Sequence, residues 1–215
     1  MILAALSAAL ICLDPGHGTP PGIGRQTEPI GPGSSVRKIK DGGGAPGEAE
    51  VVLAIARKTR TLLLERGYRV VMTRTGPTFR YGTGGNVARA QFCNRRHAKL
   101  MLRIHADGSS NPASRGIATL YPAFHRSWTD DIYASSLRAA RLVQRATVSV
   151  THARDNGLVR RSDLTGFNWA NVPAILVETG FMTNQSERGR LESSSYQWKV
   201  ARGLTAGVAA FTPSS

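Results

Sequence analysis

Apolar residues in this chain gather into short runs that end on an ionisable group. Leu10 to Leu13 is cut off by Asp14-Pro15-Gly16, Leu100 to Ile104 runs into His105, and Ala174 to Val177 runs into Glu178. Runs of this length read as strands covered on both faces. Tyr68 to Thr73 reads as a strand by its β-branched content, and Ile117 to Tyr121 as another. Between them the period becomes helical. From Gly47 to Arg66, the residues Val51, Val52, Ile55, Ala56, Leu62 and Leu63 share one face, and Gly67 supplies a stop. Asn86 to Ala98 reads as a helix capped by Asn86. Asp130 to Ala146 reads as a third helix, with Ile132, Leu137 and Leu142 among its apolar positions, and Tyr196 to Phe211 as a last one. Strands alternating with helices predict an α/β fold, with one sheet covered by helices on both faces. Pro15 to Gly47, rich in Gly and Pro, reads as one long irregular segment of the kind that is functional or mobile.

In such sheets, sites gather beyond the carboxyl ends of the strands. A strand core cannot hold an unpaired charge cheaply. Three apolar strands that run into Asp14 and His17, His105, and Glu178 therefore point to one shared crevice. Imidazole nitrogen and carboxylate oxygen are usual ligands of catalytic zinc, which keeps one position for water. A histidine after a strand is as readily a hydrogen-bonded structural residue, so the residues alone leave both readings open. Other chemistries lack their marks. There is no HExxH, no GxxxxGK[ST] or clean GxGxxG, no GxSxG and no PCxxC. Cys93 and His97 share a helical face but read as a packed thiol beside a surface imidazole. His125 and His152 stand in polar surroundings and read as solvent-facing.

The chain has 215 residues, a length suited to one domain, and a net charge of +14 from 28 basic and 14 acidic residues. A surface this basic attracts polyanions, either nucleic acid or an anionic cell envelope. The bases are spread along the chain and no nucleic-acid motif stands out among them. Cys12 and Cys93, in no metal-type spacing, read by default as two buried thiols, with a single disulfide as the alternative for an exported protein. Residues 1–9 are small and apolar. They read as a remnant of an export signal or simply as the start of the chain, ahead of a domain over 10–215, and the run is too short to span a membrane.

Several of these segments together resemble the zinc-dependent N-acetylmuramoyl-L-alanine amidases, the type 3 group. Leu13-Asp14-Pro15-Gly16-His17-Gly18 resembles their opening motif, and Glu48 ahead of Leu53-Ala54-Ile55-Ala56 resembles their ligand glutamate. Arg69 to Arg74 is similar to the strand and Thr-Arg that follow. Arg103-Ile104-His105-Ala106-Asp107 is similar to the second histidine motif, where the residue before Ile is commonly Ser. Pro173 to Asn184 is similar to the closing motif with its catalytic glutamate. The resemblance runs from about Leu10 to Phe211. It implies a single domain with a central, mostly parallel sheet of about six strands. It implies one zinc ion on His17, Glu48 and His105, with Glu50 as the competing ligand, and Glu178 as proton shuttle. The reaction implied is hydrolysis of the amide between N-acetylmuramic acid and the first L-alanine of a peptidoglycan stem. A zinc peptidase acting on another wall amide and a non-catalytic wall-binding module are the alternatives. Arg161 is a candidate for a stem carboxylate, and Asp14 and Asp107 are candidates to orient an imidazole or to cap a turn. The expected setting is outside the cell membrane, as a monomer without nucleic acid, the basic surface holding anionic wall polymers.

Overall fold

The computed structural model describes residues 8–213. The export reading of residues 1–9 falls mostly outside them. In chain order the elements are β1 (Leu10–Pro15), α1 (Pro21–Gly24), β2 (Thr27–Pro29), β3 (Arg37–Ile39), α2 (Glu48–Glu65), β4 (Arg69–Met72) and α3 (Asn86–Asn94). There follow β5 (Leu100–Asp107), β6 (Ile117–Pro122), α4 (Tyr133–Thr151), β7 (Asp155–Arg161), α5 (Thr165–Asn168), β8 (Ala174–Phe181), α6 (Gln185–Glu192) and α7 (Ser194–Phe211). Six strands form one sheet in the order β4-β1-β5-β8-β6-β7. β4, β1, β5 and β8 run parallel, β6 lies antiparallel to β8, and β7 is parallel to β6. The expected α/β sheet of six mostly parallel strands is what the chain forms.

Side chains alternate across a sheet, so each strand serves two different surroundings. On one face Ile11 and Leu13, then Leu100, Leu102, Ile104 and Ala106, then Ile175 and Val177 join a core with α2, α4 and α7. α4 and α7 approach closely because their contact is built from small residues. A Cβ on Gly203 would collide with the Thr147 backbone, and one on Gly207 with that of Val143. On the other face Cys12, Met101, Ala174 and Leu176 pack with Cys93, Phe167 and Ala170 around α3 and α5. No helix among the described residues is long and apolar enough to cross a membrane.

Several expectations change. Cys12 and Cys93 are not two free thiols but one disulfide, both fully buried, with Cα atoms 5.7 Å apart. The segment Pro15 to Gly47 is not wholly irregular, since it carries α1 and the antiparallel β2–β3 pair. Asn86 does not cap α3. Gly85 takes that position without a side-chain bond, and the free N–H groups of Asn86 and Val87 donate to the Glu28 carboxylate at 2.7 and 3.2 Å. α4 begins and ends later than expected and buries Ser136, Ala139, Ala140, Val143, Gln144 and Thr147, leaving Leu137 and Leu142 half-buried. β7 and α6 have too little apolar character to stand out in the sequence.

Candidate metal centre

The face of the sheet that carries α3 and α5 changes from apolar to ionisable along its length. Register places Asp14 beside Arg103, Arg103 beside Leu176, and His105 beside Glu178. The lower row, Cys12, Met101 and Ala174, is apolar. The next row is Asp14, Arg103 and Leu176. The top row is His105 and Glu178, at the carboxyl ends of β5 and β8.

His17 reaches this row from the turn after β1. Its backbone is left-handed, at φ 57°, a conformation that costs energy for a non-glycine residue and persists only where its surroundings impose it. Two buried arginines impose it here. Arg74 donates to the carbonyls of Pro15 (3.1 Å) and Gly16 (2.6 Å), and Arg89 to those of Pro15 (3.0 Å) and His17. A side chain at Gly16 would run into the His105 ring, so glycine is required for the turn to close over that imidazole. Asp14 does not orient a histidine. Fully buried, it accepts from Thr73 at 2.6 Å and from Arg89 and Arg103 at 2.8 Å each. Burial would raise its pKa, but the two guanidiniums and the Thr73 hydroxyl outweigh this and hold it well below the usual carboxylate range.

Glu48 opens α2 and points its carboxylate between both imidazoles. Its Oε1 lies 2.9 Å from His17 Nε2 and 3.2 Å from His105 Nδ1, and also accepts from the Ala106 N–H. Its Oε2 accepts from Ala45 N at 2.9 Å. One ligand atom from each of His17, Glu48 and His105 lies within 4.8 Å of the others. The two rings meet edge to face at 4.9 Å. Glu50, by contrast, is exposed in the same first turn of α2. Burial opposes charge on His17, yet hydrogen bonds to Asp41 and Glu48 overcome it and push the pKa up to about 9. His105, more deeply enclosed, is driven down by burial against its bond to Glu48. The carboxylates of Asp41 and Glu48 thus favour positive charge at this cluster. The donor set, two imidazoles and one carboxylate, fits a divalent ion of the zinc type.

The orienting residue that sequence reasoning missed is Asp41. Its Oδ1 lies 2.7 Å from His17 Nδ1, and it is itself held by the N–H groups of Thr19 and Gly43. With Nδ1 bound to a carboxylate, Nε2 of His17 is left to act as ligand. The signal was faint: Glu28 and Asp41 are the only acids between Pro15 and Gly47. Both do local work, Glu28 at the start of α3 and Asp41 on the histidine.

Glu178 stands across from His105, with its Oε2 shielded from solvent and unpartnered. Burial, then the charges of Asp107 and Glu48, raise its pKa well above the ordinary glutamate value. Asp107 accepts from the Gly108 N–H at 2.7 Å, the turn-capping role, and contacts no imidazole. Arg161 is half-buried and gives its fork to Asp163, at 2.7 and 2.8 Å. Lys38 of the hairpin reaches the same Asp163 at 3.0 Å. His125, His152 and His97 are exposed and apart from the cluster, and Cys93 is in the disulfide.

Two hollows meet at this row. One, about 630 Å³, is open and includes Gly44, Glu48, His105, Ser109, Glu178 and Thr183 in its lining. The other, about 200 Å³, lies over the Arg103–Leu176 row between the hairpin and α5.

Comparison with known proteins gives this arrangement a family. The model of the N-acetylmuramoyl-L-alanine amidase family matches residues 11–210. The amidase Rv3717 of Mycobacterium tuberculosis is 30% identical, over 97% of this chain and 88% of its own length. LytC of Bacillus subtilis is 28% identical over 94% of this chain, which spans only 35% of that longer protein. The corresponding share of AmiA from Salmonella typhimurium is 76%, at 26% identity. Among solved structures, the N-acetylmuramyl-L-alanine amidase Ami1 from Mycobacterium smegmatis superposes with a TM-score of 0.83 at 26% identity, covering 94% of this chain and 96% of that one. Fold, motif order and family match agree: this chain belongs to the N-acetylmuramoyl-L-alanine amidase family.

Proposed function

We propose that the chain hydrolyses the amide between the lactyl group of N-acetylmuramic acid and the L-alanine of a peptidoglycan stem, with one zinc ion held by His17, Glu48 and His105. The observation that carries this reading is the three-donor cluster facing the shielded Glu178 across one strand pair. When bound, zinc supplies Lewis acidity that lets water lose a proton near neutral pH. Asp41 keeps the His17 ring turned toward the cluster through its 2.7 Å bond. Glu178 takes the proton of the attacking water as the C–O bond forms, and returns it to the alanine nitrogen as the C–N bond breaks. Burial raises the proton affinity of this carboxylate, which suits it to draw the proton from water and hold it until the nitrogen departs. Arg161 is the candidate for a stem carboxylate, which would have to displace Asp163 from its fork. The basic surface would hold anionic wall polymers, and the chain would act outside the cell membrane.

The test is product analysis on purified peptidoglycan. Zinc-loaded protein should release intact stems with a free alanine amine, at about one zinc per chain. A chelator should abolish the release, and added zinc should restore it. Cleavage within the stem, or full activity of metal-free protein, would overturn the reading.

A further inference from the structure

The small hollow beside the metal centre has a chemistry of its own. Its floor is Arg103, which is 4% exposed, with Leu176 next to it on β8. Two of the three guanidinium nitrogens of Arg103 are engaged: Nε donates to Asp14, and Nη2 to Asn86 Oδ1. Nη1 makes no hydrogen bond to any described residue. It lies under the backbone of Gly166, where no side chain would fit. Lys38, at the mouth, supplies a further positive charge and is shared with the half-exposed Asp163. Behind the floor, Arg74, Arg89 and Arg103 are all buried, and Asp14 is the one carboxylate that Arg89 and Arg103 both bind. The hollow's lining sets Lys38, Lys40, Arg89 and Arg103 against the carboxylates of Asp41 and Asp163, which are taken up by His17 and by Lys38 and Arg161, so Nη1 of Arg103 is the guanidinium nitrogen left for an incoming anion.

We propose that this hollow is a subsite for a free carboxylate on the second residue of the stem, with Arg103 as its specificity-determining contact. The inference rests on the amidase reading and refines it by moving the carboxylate contact from Arg161, whose fork Asp163 fills, to Arg103. Spacing supports it. Arg103 is two residues below His105 on one strand, a step of about 7 Å at the usual rise per residue. From the alanine nitrogen to an α-carboxylate on the next residue, an extended chain reaches about 6 Å. Size supports it too. About 200 Å³ accepts one residue but not the muramoyl sugar, which the open 630 Å³ hollow, sharing His17 and His105 with the small one, can take. A carboxamide at that position would bring an N–H₂ group toward a guanidinium that has only donors to offer.

The test compares N-acetylmuramoyl-L-alanyl-D-glutamate with the same molecule carrying an α-carboxamide. Binding is measured by calorimetry and hydrolysis is measured in parallel. The free acid should bind roughly tenfold or more tightly, the scale of losing one charge-assisted hydrogen bond. Arg103→Gln should erase the ratio. Because Arg103 also pairs with buried Asp14, Lys38→Met serves as a second variant at the hollow's mouth and should reduce the ratio without touching the core. Equal binding of both compounds by the unaltered protein overturns the subsite, as does a ratio that survives in a folded Arg103→Gln. Discrimination in binding with no hydrolysis of either compound keeps the subsite and overturns the amidase reading. Hydrolysis of both with equal binding does the reverse.

Discussion

Glu48 and Glu178 are both carboxylates in one cleft, yet their surroundings separate them. Glu48 has two imidazoles and two backbone N–H groups around it, which outweigh burial and hold it ionised. Glu178 has no donor on Oε2, and burial together with the charges of Asp107 and Glu48 raises its pKa well above the ordinary value. Two carboxyl groups with opposite shifts in proton affinity suit the roles proposed for them, Glu48 as ligand and Glu178 as shuttle. Glu178→Gln should therefore fold and retain zinc while turnover falls by about 10²–10⁴-fold. Metal content and amide hydrolysis on the same preparation decide this, and loss of zinc in that variant would make Glu178 a ligand. Asp41→Asn keeps the size of the side chain but weakens the grip on His17 Nδ1. Zinc affinity, read by competition with a chelating dye, should drop about 10–100-fold, the usual effect of losing such a partner. Unchanged affinity would leave Asp41 as a turn residue only.

At the scale of elements, the buried group of Asp14, Thr73, Arg89 and Arg103 ties β1, α3 and β5 together beneath the site. Asp14 has a depressed pKa in the folded chain, so its contribution is complete above its ordinary value of 3.8. It is lost as pH falls from there toward the folded value. Acid denaturation should therefore steepen below about pH 4, and Asp14→Asn should remove that part of the slope. The same substitution leaves two buried guanidiniums without their carboxylate and should cost about 3–5 kcal/mol in chemical denaturation at pH 7. The disulfide acts on the same pair of elements, joining β1 to α3 across a separation of 81 residues. Closing a loop of that length is worth about 4 kcal/mol in the chain-entropy account, so reduction should lower the denaturation midpoint with zinc kept constant. The elements that could be read in advance were those whose side chains obey one periodicity. β1, β5 and β8 are apolar on both faces until they reach the site, and α2 shows a clear stripe. β7 was hidden because it is an exposed edge strand, Asp155 to Arg161, with little to bury. The β2–β3 hairpin was hidden because three-residue strands give no period, and its role depends on distant partners such as the α3 N-terminus that Glu28 meets. His17, Glu48 and His105, the proposed ligands, were legible because they follow apolar strands or open a helix. Asp41 lies in a glycine-rich stretch where no local pattern marks it.

At the scale of the whole molecule, a charge of +14 on 215 residues means that long-range attraction to anionic polymers accompanies any specific contact. Binding to intact cell walls should weaken progressively as salt is raised from about 0.05 to 0.5 M, since the screening length shortens over that range. Sedimentation of the protein with purified walls at each salt concentration measures this. Retention independent of salt would mean that a discrete pocket, not the field, holds the wall.

The alternation along β5 has a consequence for how the chain finds its fold. Leu102, Ile104 and Ala106 face the oily layer, while Arg103 and His105 face the site. A slip of a single residue would exchange the two sets at once. Arg103 and His105 would enter a layer with no carboxylate to meet them, at several kcal/mol for an unpaired guanidinium, and Ile104 would take the place of His105 beside Glu48. The residues that give the cleft its chemistry thus also proofread the pairing of the central strand, and a misaligned chain is penalised before it could ever meet a substrate.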